Sequence, residues 1–196
     1  MISTKQKIYL ASKSPRRRKL LKQLGLKFTS FSVDLDEELL DGEHPIKTVK
    51  RLSLQKSEAA KKRVKSGIII TADTIVVLDH QIIGKPRSKK EAILFLKKLS
   101  GKTHTVFTGF TIFNSHNEKT ITEYVRTNVK FRVLTDDEIV EYVNGGSPMD
   151  KAGAYGIQDD FGAVFVEKIN GCYYNVVGLP LAKLYKSLIK ILKTKK

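Results

Sequence analysis

The order of hydrophobic segments predicts an α/β fold in a single domain spanning residues 1–196, with a mixed β-sheet flanked by helices. Short β-branched runs alternate with stretches of helical period along the whole chain. The longest run, Ile68–Leu78, is apolar on both faces, as in a strand buried inside a sheet. Thr103–Asn114 and Lys119–Leu134 read as a long strand pair around a polar turn at Ser115–Glu118.

Each element has its own local signal. Ile8–Ala11 reads as a short buried strand. Pro15–Leu24 reads as a helix ending at Gly25, with Ser14 as N-cap and Pro15 at the first helical position. Phe28–Val33 alternates as a strand, and Pro45–Val64 has helical period. Asp79-His80 turns the central strand into a short one at Gln81–Ile83, and Ser88–Leu99 is helical. Thr135–Val143 is a helix with Thr135 as cap and Glu138 at the capping-box position. Ala152–Asn175, rich in Gly and aromatics, reads as strand and loop, and Leu181–Leu192 as a closing amphipathic helix. There is no repeat, low-complexity tract or long linker.

Composition narrows the class. No apolar run approaches the ~20 residues that span a bilayer. The N-terminus lacks the pattern of a signal peptide, so a soluble cytoplasmic protein is expected. Cys172 is the only cysteine, which excludes an internal disulfide and a cysteine-cluster zinc site. The formal charge is +16, with nine Lys and Arg in residues 1–33 and the first acidic residue at Asp34. Such a balance favours anionic partners, or is only a Lys-rich surface.

Several charged residues contradict their local pattern. In the first helix Leu20, Leu21 and Leu24 form the apolar face. Arg17 falls near its middle and Arg16 on its flank, while Arg18, Lys19 and Lys22 point away. Arg16 and Arg17 lie where helix N–H groups attract phosphate, with Ser12 and Ser14 nearby; each could instead snorkel to water or pair with a structural carboxylate. In the next helix Lys56 falls near the centre of the face formed by Ile46, Val49, Leu52, Ser53, Ala59 and Ala60. It either faces an anion in a cavity or packs its stem and reaches a rim. Asp73 stands amid the β-branched Ile68–Leu78, where a carboxylate needs a cation or a chemical role, unless it is a structural aspartate. Lys85, between Gly84 and Pro86, is a phosphate ligand or a plain turn lysine. An acidic patch, Asp34, Asp36, Glu37 and Glu38, follows the second strand.

Common fingerprints fail. Gly101-Lys102-Thr103 ends like a Walker A motif, but Leu96 occupies the first Gly position. There is no G-x-G-x-x-G and no G-x-S-x-G elbow. His44, His80, His104 and His116 show no zinc spacing, and His104 and His116 read as surface or strand residues. What is left, cations for oxyanions and carboxylates for Mg²⁺, is the equipment of phosphoryl chemistry.

Together several blocks resemble the Maf family: Leu10-Ala-Ser-Lys-Ser-Pro-Arg-Arg17, Ala72-Asp-Thr74, Gly84-Lys-Pro86, Ser100-Gly101, Lys151-Ala-Gly-Ala-Tyr-Gly-Ile-Gln158 and Asn175-Val-Val-Gly-Leu-Pro180. The resemblance implies a Maf/ITPase-like fold, strongly twisted and with a central cleft. It implies hydrolysis of the α–β phosphate bond of nucleoside triphosphates to the monophosphate and pyrophosphate. The Lys151–Gln158 block is similar to the subfamily acting on dTTP, UTP and some modified pyrimidine nucleotides. By correspondence, Ser12, Arg16, Arg17, Lys56 and Thr74 bind substrate, and Asp73, Lys85 and Gln158 are catalytic. Glu37, Asp73 and Gln158 handle a divalent metal cation, Mg²⁺ or Mn²⁺. A homodimer is implied, without membrane or nucleic-acid partners. Two departures are Asp159-Asp160, where the family often has Gly after the Gln, and Cys172, where Ser is common. The rival class, a basic nucleic-acid-binding or septum-formation regulatory protein, would present its charge as an exposed stripe, from residues such as Arg18, Lys19, Lys22, Lys47, Lys50 and Lys61.

Overall fold

A computed structural model describes the chain except for Met1, Ser3, Asp36, Glu37, Asp159, Asp160 and residues 194–196, and except for the side chain of Ser147. Among the described residues the elements run β1 (Ile8–Ala11), α1 (Pro15–Gln23), β2 (Thr29–Phe31), α2 (Pro45–Lys61), β3 (Ile68–Leu78), β4 (Gln81–Ile83) and α3 (Lys89–Leu99). There follow β5 (Thr103–Asn114), β6 (Lys119–Phe131), α4 (Asp136–Asn144), three 3₁₀ turns (Ser147–Asp150, Ala152–Ala154, Phe161–Phe165), β7 (Val166–Asn170), α5 (Tyr173–Val177) and α6 (Leu181–Lys193). The strands form one seven-stranded sheet in the order β2-β1-β3-β5-β6-β7, with β4 on β3. β1 is parallel to β2 and β3, whereas β4 on β3 and β7 on β6 are antiparallel, so the sheet is mixed.

The helix starts follow from their caps. Ser14 Oγ accepts the Arg17 N–H at 3.4 Å, with Pro15 following in the first turn of α1. At α4, Thr135 Oγ1 accepts the Glu138 N–H at 3.3 Å while the Glu138 carboxylate accepts the Thr135 N–H at 2.9 Å, a reciprocal capping box. Arg132 grips that carboxylate through both terminal nitrogens, at 2.6 and 3.1 Å. This hydrogen-bonded pairing, the largest cause, pulls the Glu138 carboxyl down to about 2.

Three sequence expectations change. Helix α2 stops at Lys61 rather than Val64, because Arg63 and Val64 donate to Ala60 and Lys61 in a tightened final turn. Among the described residues of 152–175 most are turns: Gly153 at φ +72° and Ala154 at φ +59° break extended backbone, and the strand is confined to Val166–Asn170. The five residues of α5 are too few to display a helical period.

The described residues group into two compact units. The first comprises Met1–Asp73, Thr108–Val125 and Gly178–Lys196; the second comprises Thr74–Phe107 and Arg126–Val177. In the first, Leu10, Leu21, Leu52, Ile68, Ile70, Phe110, Leu184 and Leu188 are buried. Helix α2 lies very close to β5 there: a Cβ on Gly109 would overlap the Val49 carbonyl, so only glycine fits.

The second unit is centred on aromatic rings. His104, read from sequence as a surface or strand residue, is in β5 but only 1% exposed. Its ring meets Phe131 and Tyr155 edge-on, at centroid distances of 4.9 and 5.3 Å. Its Nε2 is 2.8 Å from the Tyr155 hydroxyl. Burial pushes the His104 imidazole down to about 4, and burial likewise raises the Tyr155 phenol well above its ordinary value.

Candidate active site

The ladder between β1 and β3 stops at Leu10↔Ile70, so the next residues of β3 need other partners. In the first unit they have them one after another. Thr71 Oγ1 donates to the Ser53 carbonyl of α2 at 2.6 Å. The Ala72 carbonyl accepts from Arg17 of α1 at 2.9 Å. The Asp73 carboxylate accepts from the Lys56 ammonium of α2. Lys56 and Asp73 are 8% and 5% exposed. A buried ion pair of this kind is a weak source of net stability, since desolvation of both charges opposes their attraction. The two charges that looked misplaced in the sequence are thus each other's partners. They supply a carboxylate and an ammonium at one point, on rigid elements.

Arg17 is fixed by backbone. Its Nε donates to the Gly178 carbonyl at 2.9 Å, and the terminal nitrogen on Ala72 also lies 3.4 Å from Ser12 Oγ. Ser12 is buried just beyond β1 and accepts the Ser14 N–H at 3.3 Å. Arg16, in the first turn of α1, is half-buried. Arg51, one face round α2 from Lys56, holds Glu43 in a 2.6 Å ion pair and donates to the Glu38 carbonyl at 3.0 Å. It thereby fastens the end of the acidic patch, at Glu38, to the helix. Glu37 itself lies outside the described residues.

The other predicted residues belong to the second unit. Thr74 continues β3 and is half-buried. Lys85 is exposed, between Gly84 and the buried Pro86. Its loop is tied down where the Gly84 carbonyl accepts the Gly153 N–H at 3.0 Å. Gly153 is left-handed, and a Cβ there would press on the Val76 side chain at 3.0 Å. Gln158 is half-buried at a bend. Near it Lys151 is only 8% exposed, its Nζ donating to Asp150 at 3.1 Å. Its stem passes so near Gly156 that a Cβ there would stand 2.7 Å from Lys151 Cε and 3.7 Å from Gln158 Nε2.

The structure therefore joins Ser12, Arg17, Lys56 and Asp73 within one unit. Among the described residues, no three His, Cys, Asp or Glu side chains cluster as a metal site.

The family model described as Maf-like protein matches residues 7–191. The chain belongs to the Maf-like family. It is similar to the dTTP/UTP pyrophosphatase of Carboxydothermus hydrogenoformans, 48% identical over 184 residues, covering 93% of this chain and 97% of the relative. It is also similar to the dTTP/UTP pyrophosphatase of Syntrophomonas wolfei, 46% identical over 181 residues, covering 92% and 95%. A solved HAM1 protein from Coxiella burnetii superposes with a TM-score of 0.53 at 12% identity, covering 94% of this chain and 99% of that one. This likeness shows the shared fold alone.

In this Maf-like chain, sequence reasoning passed over Thr71 and Lys151. Threonine is at home in a strand, so Thr71 gave no anomaly. Lys151 opens a Gly- and Ala-rich block without periodicity, and no pattern there marked it as buried.

Proposed function

We propose that this protein hydrolyses the α–β phosphate bond of dTTP, UTP and modified pyrimidine nucleoside triphosphates, releasing the monophosphate and pyrophosphate. The observation that carries the reading is the convergence of Lys56 on Asp73 at the end of the β1–β3 ladder, with Arg17 on the adjoining Ala72 carbonyl. The names of the 48% and 46% identical relatives support the substrate class.

In this reading Asp73 orients or deprotonates the water that attacks the α-phosphorus. By the family correspondence, Arg16, Arg17, Lys56 and Lys85 neutralise phosphate oxygens as charge shifts to the leaving pyrophosphate. Ser12 and Thr74 contact substrate, and Gln158 helps place the water. Lys56 holds the Asp73 carboxylate aimed until the triphosphate engages the ammonium.

A divalent cation fits the donor chemistry. Mg²⁺ is commonly held by one or two carboxylates plus substrate phosphates, and Asp73 is a hard oxygen donor. By the family resemblance, Asp73, Glu37 and Gln158 would hold Mg²⁺ or Mn²⁺. Such an ion polarises the phosphoryl group and neutralises its charge. A homodimer, from the family resemblance, and a cytoplasmic place, from the single cysteine, are part of the same reading.

The test is a panel of normal and modified nucleoside triphosphates with Mg²⁺, scored for pyrophosphate release. Turnover of dTTP and UTP well above that of purine nucleotides is expected. Release of orthophosphate alone, or no turnover of any member, would overturn the reading.

A further inference from the structure

We infer that Thr71 is a positioning residue: its buried hydroxyl fixes the register of α2 on β3 that delivers Lys56 to Asp73. The inference rests on the reading of Lys56 and Asp73 as working parts of the site.

Thr71 and Asp73 are two apart on β3, so their side chains leave the same face about 6.7 Å apart. Ser53 and Lys56 are three apart on α2, neighbours on one helix face with about 4.5 Å of rise between them. At this contact Ser53 meets Thr71 and Lys56 meets Asp73, so strand and helix step forward together. The first link is short and stiff, because the Thr71 hydroxyl donates to a main-chain carbonyl inside the helix, at 2.6 Å. The second link is a lysine with four rotatable methylenes, which alone would tolerate many helix placements. The stiff link therefore sets the register and the flexible one uses it.

The surroundings support this division. Thr71 and Ser53 are both 0% exposed. Ser53 Oγ is itself 3.0 Å from the Lys50 carbonyl and 3.1 Å from Thr111 Oγ1. The absence of a side chain at Gly109 lets α2 approach the sheet closely enough for a side chain as short as threonine to span the gap. Valine would fill the same volume in a strand rich in Ile and Val, so shape does not explain the hydroxyl. A fully buried hydroxyl is tolerated because of the bond it makes.

The experiment compares Thr71→Val, Thr71→Ser and Thr48→Val with the wild type. Thr48 is a control: it is also buried on α2, but its hydroxyl bonds at the N-cap of that helix, to the His44 carbonyl and Glu43, rather than to a strand. One readout is steady-state pyrophosphate release from dTTP and UTP. The other needs no substrate: the rate at which acetic anhydride acylates Lys56, followed by peptide mass spectrometry. For Thr71→Val we expect kcat to fall about tenfold with KM unchanged, as for a catalytic group displaced by a fraction of an ångström. Lys56 acylation should rise about fivefold as the helix contact opens more often. Thr71→Ser should restore both, and Thr48→Val should alter neither; Thr71→Ala replaces valine if that variant does not fold. Unchanged acylation, raised acylation with unchanged kcat, or equal effects from Thr48→Val would each overturn the inference. A wild type inactive on dTTP and UTP would sink the proposed function, and acylation would still decide whether Thr71 places Lys56.

Discussion

The two units bury polar atoms in opposite ways. In the first, opposite charges meet at Lys56 and Asp73, and hydroxyls of Thr71, Ser53 and Thr111 link helix to strands. In the second, neutral His104 and Tyr155 share one hydrogen bond inside a ring cluster with Phe131. Desolvating an ion pair yields little stability, so a pair kept at full burial points to chemistry. Desolvating a neutral pair is far less demanding, and rings in edge contact contribute packing. One unit keeps at its strand end a buried ion pair that adds little stability, and the other has a neutral aromatic core.

The comparison is tested most sharply at Asp73. Asp73→Asn should lower turnover by at least ~100-fold, the low end for a lost general base, as measured by pyrophosphate release from protein that remains folded by circular dichroism. Near-wild-type activity would remove Asp73 from the chemistry. Next is the close contact that carries the pair: Gly109→Ala should destabilise by about 3 kcal/mol in urea unfolding, because main chain rather than a side chain blocks the new methyl.

The smallest effect concerns the second unit, through pH. His104 is held down to about 4 when folded, against 6.5 when unfolded. The unfolded chain therefore binds the proton first as pH falls. The neutral-His contribution is intact above about 6.5 and is lost progressively towards 4, by at most about 3 kcal/mol. His104→Gln should flatten the dependence of unfolding free energy on pH across that window, with turnover at neutral pH changed by less than about twofold. A large loss of turnover would erase the contrast between the units.

Local signals made much of this legible in the sequence. Ser14-Pro15 and the Thr135/Glu138 box are decided within four residues, and both caps form as read. Ile68–Leu78 is decided by composition, and its bounds hold. Lys56 and Asp73 stood out because they violate the apolar pattern of their own elements. That they would meet was not legible, because partner choice depends on how α2 registers on β3. Thr71 was invisible for the converse reason: a threonine in a strand violates nothing. His104 was missed because a histidine in a strand fits either face until the neighbouring rings are known.

The Arg17 bond to the Gly178 carbonyl joins positions 161 residues apart in the chain. Its consequence lies in the order of synthesis. By residue 177 every segment of the second unit has been made, whereas the first still lacks Gly178–Lys196 and with it α6. During synthesis every segment of the aromatic unit therefore precedes the last acceptor of Arg17, so the end of β3 gains that tie only once Gly178 follows.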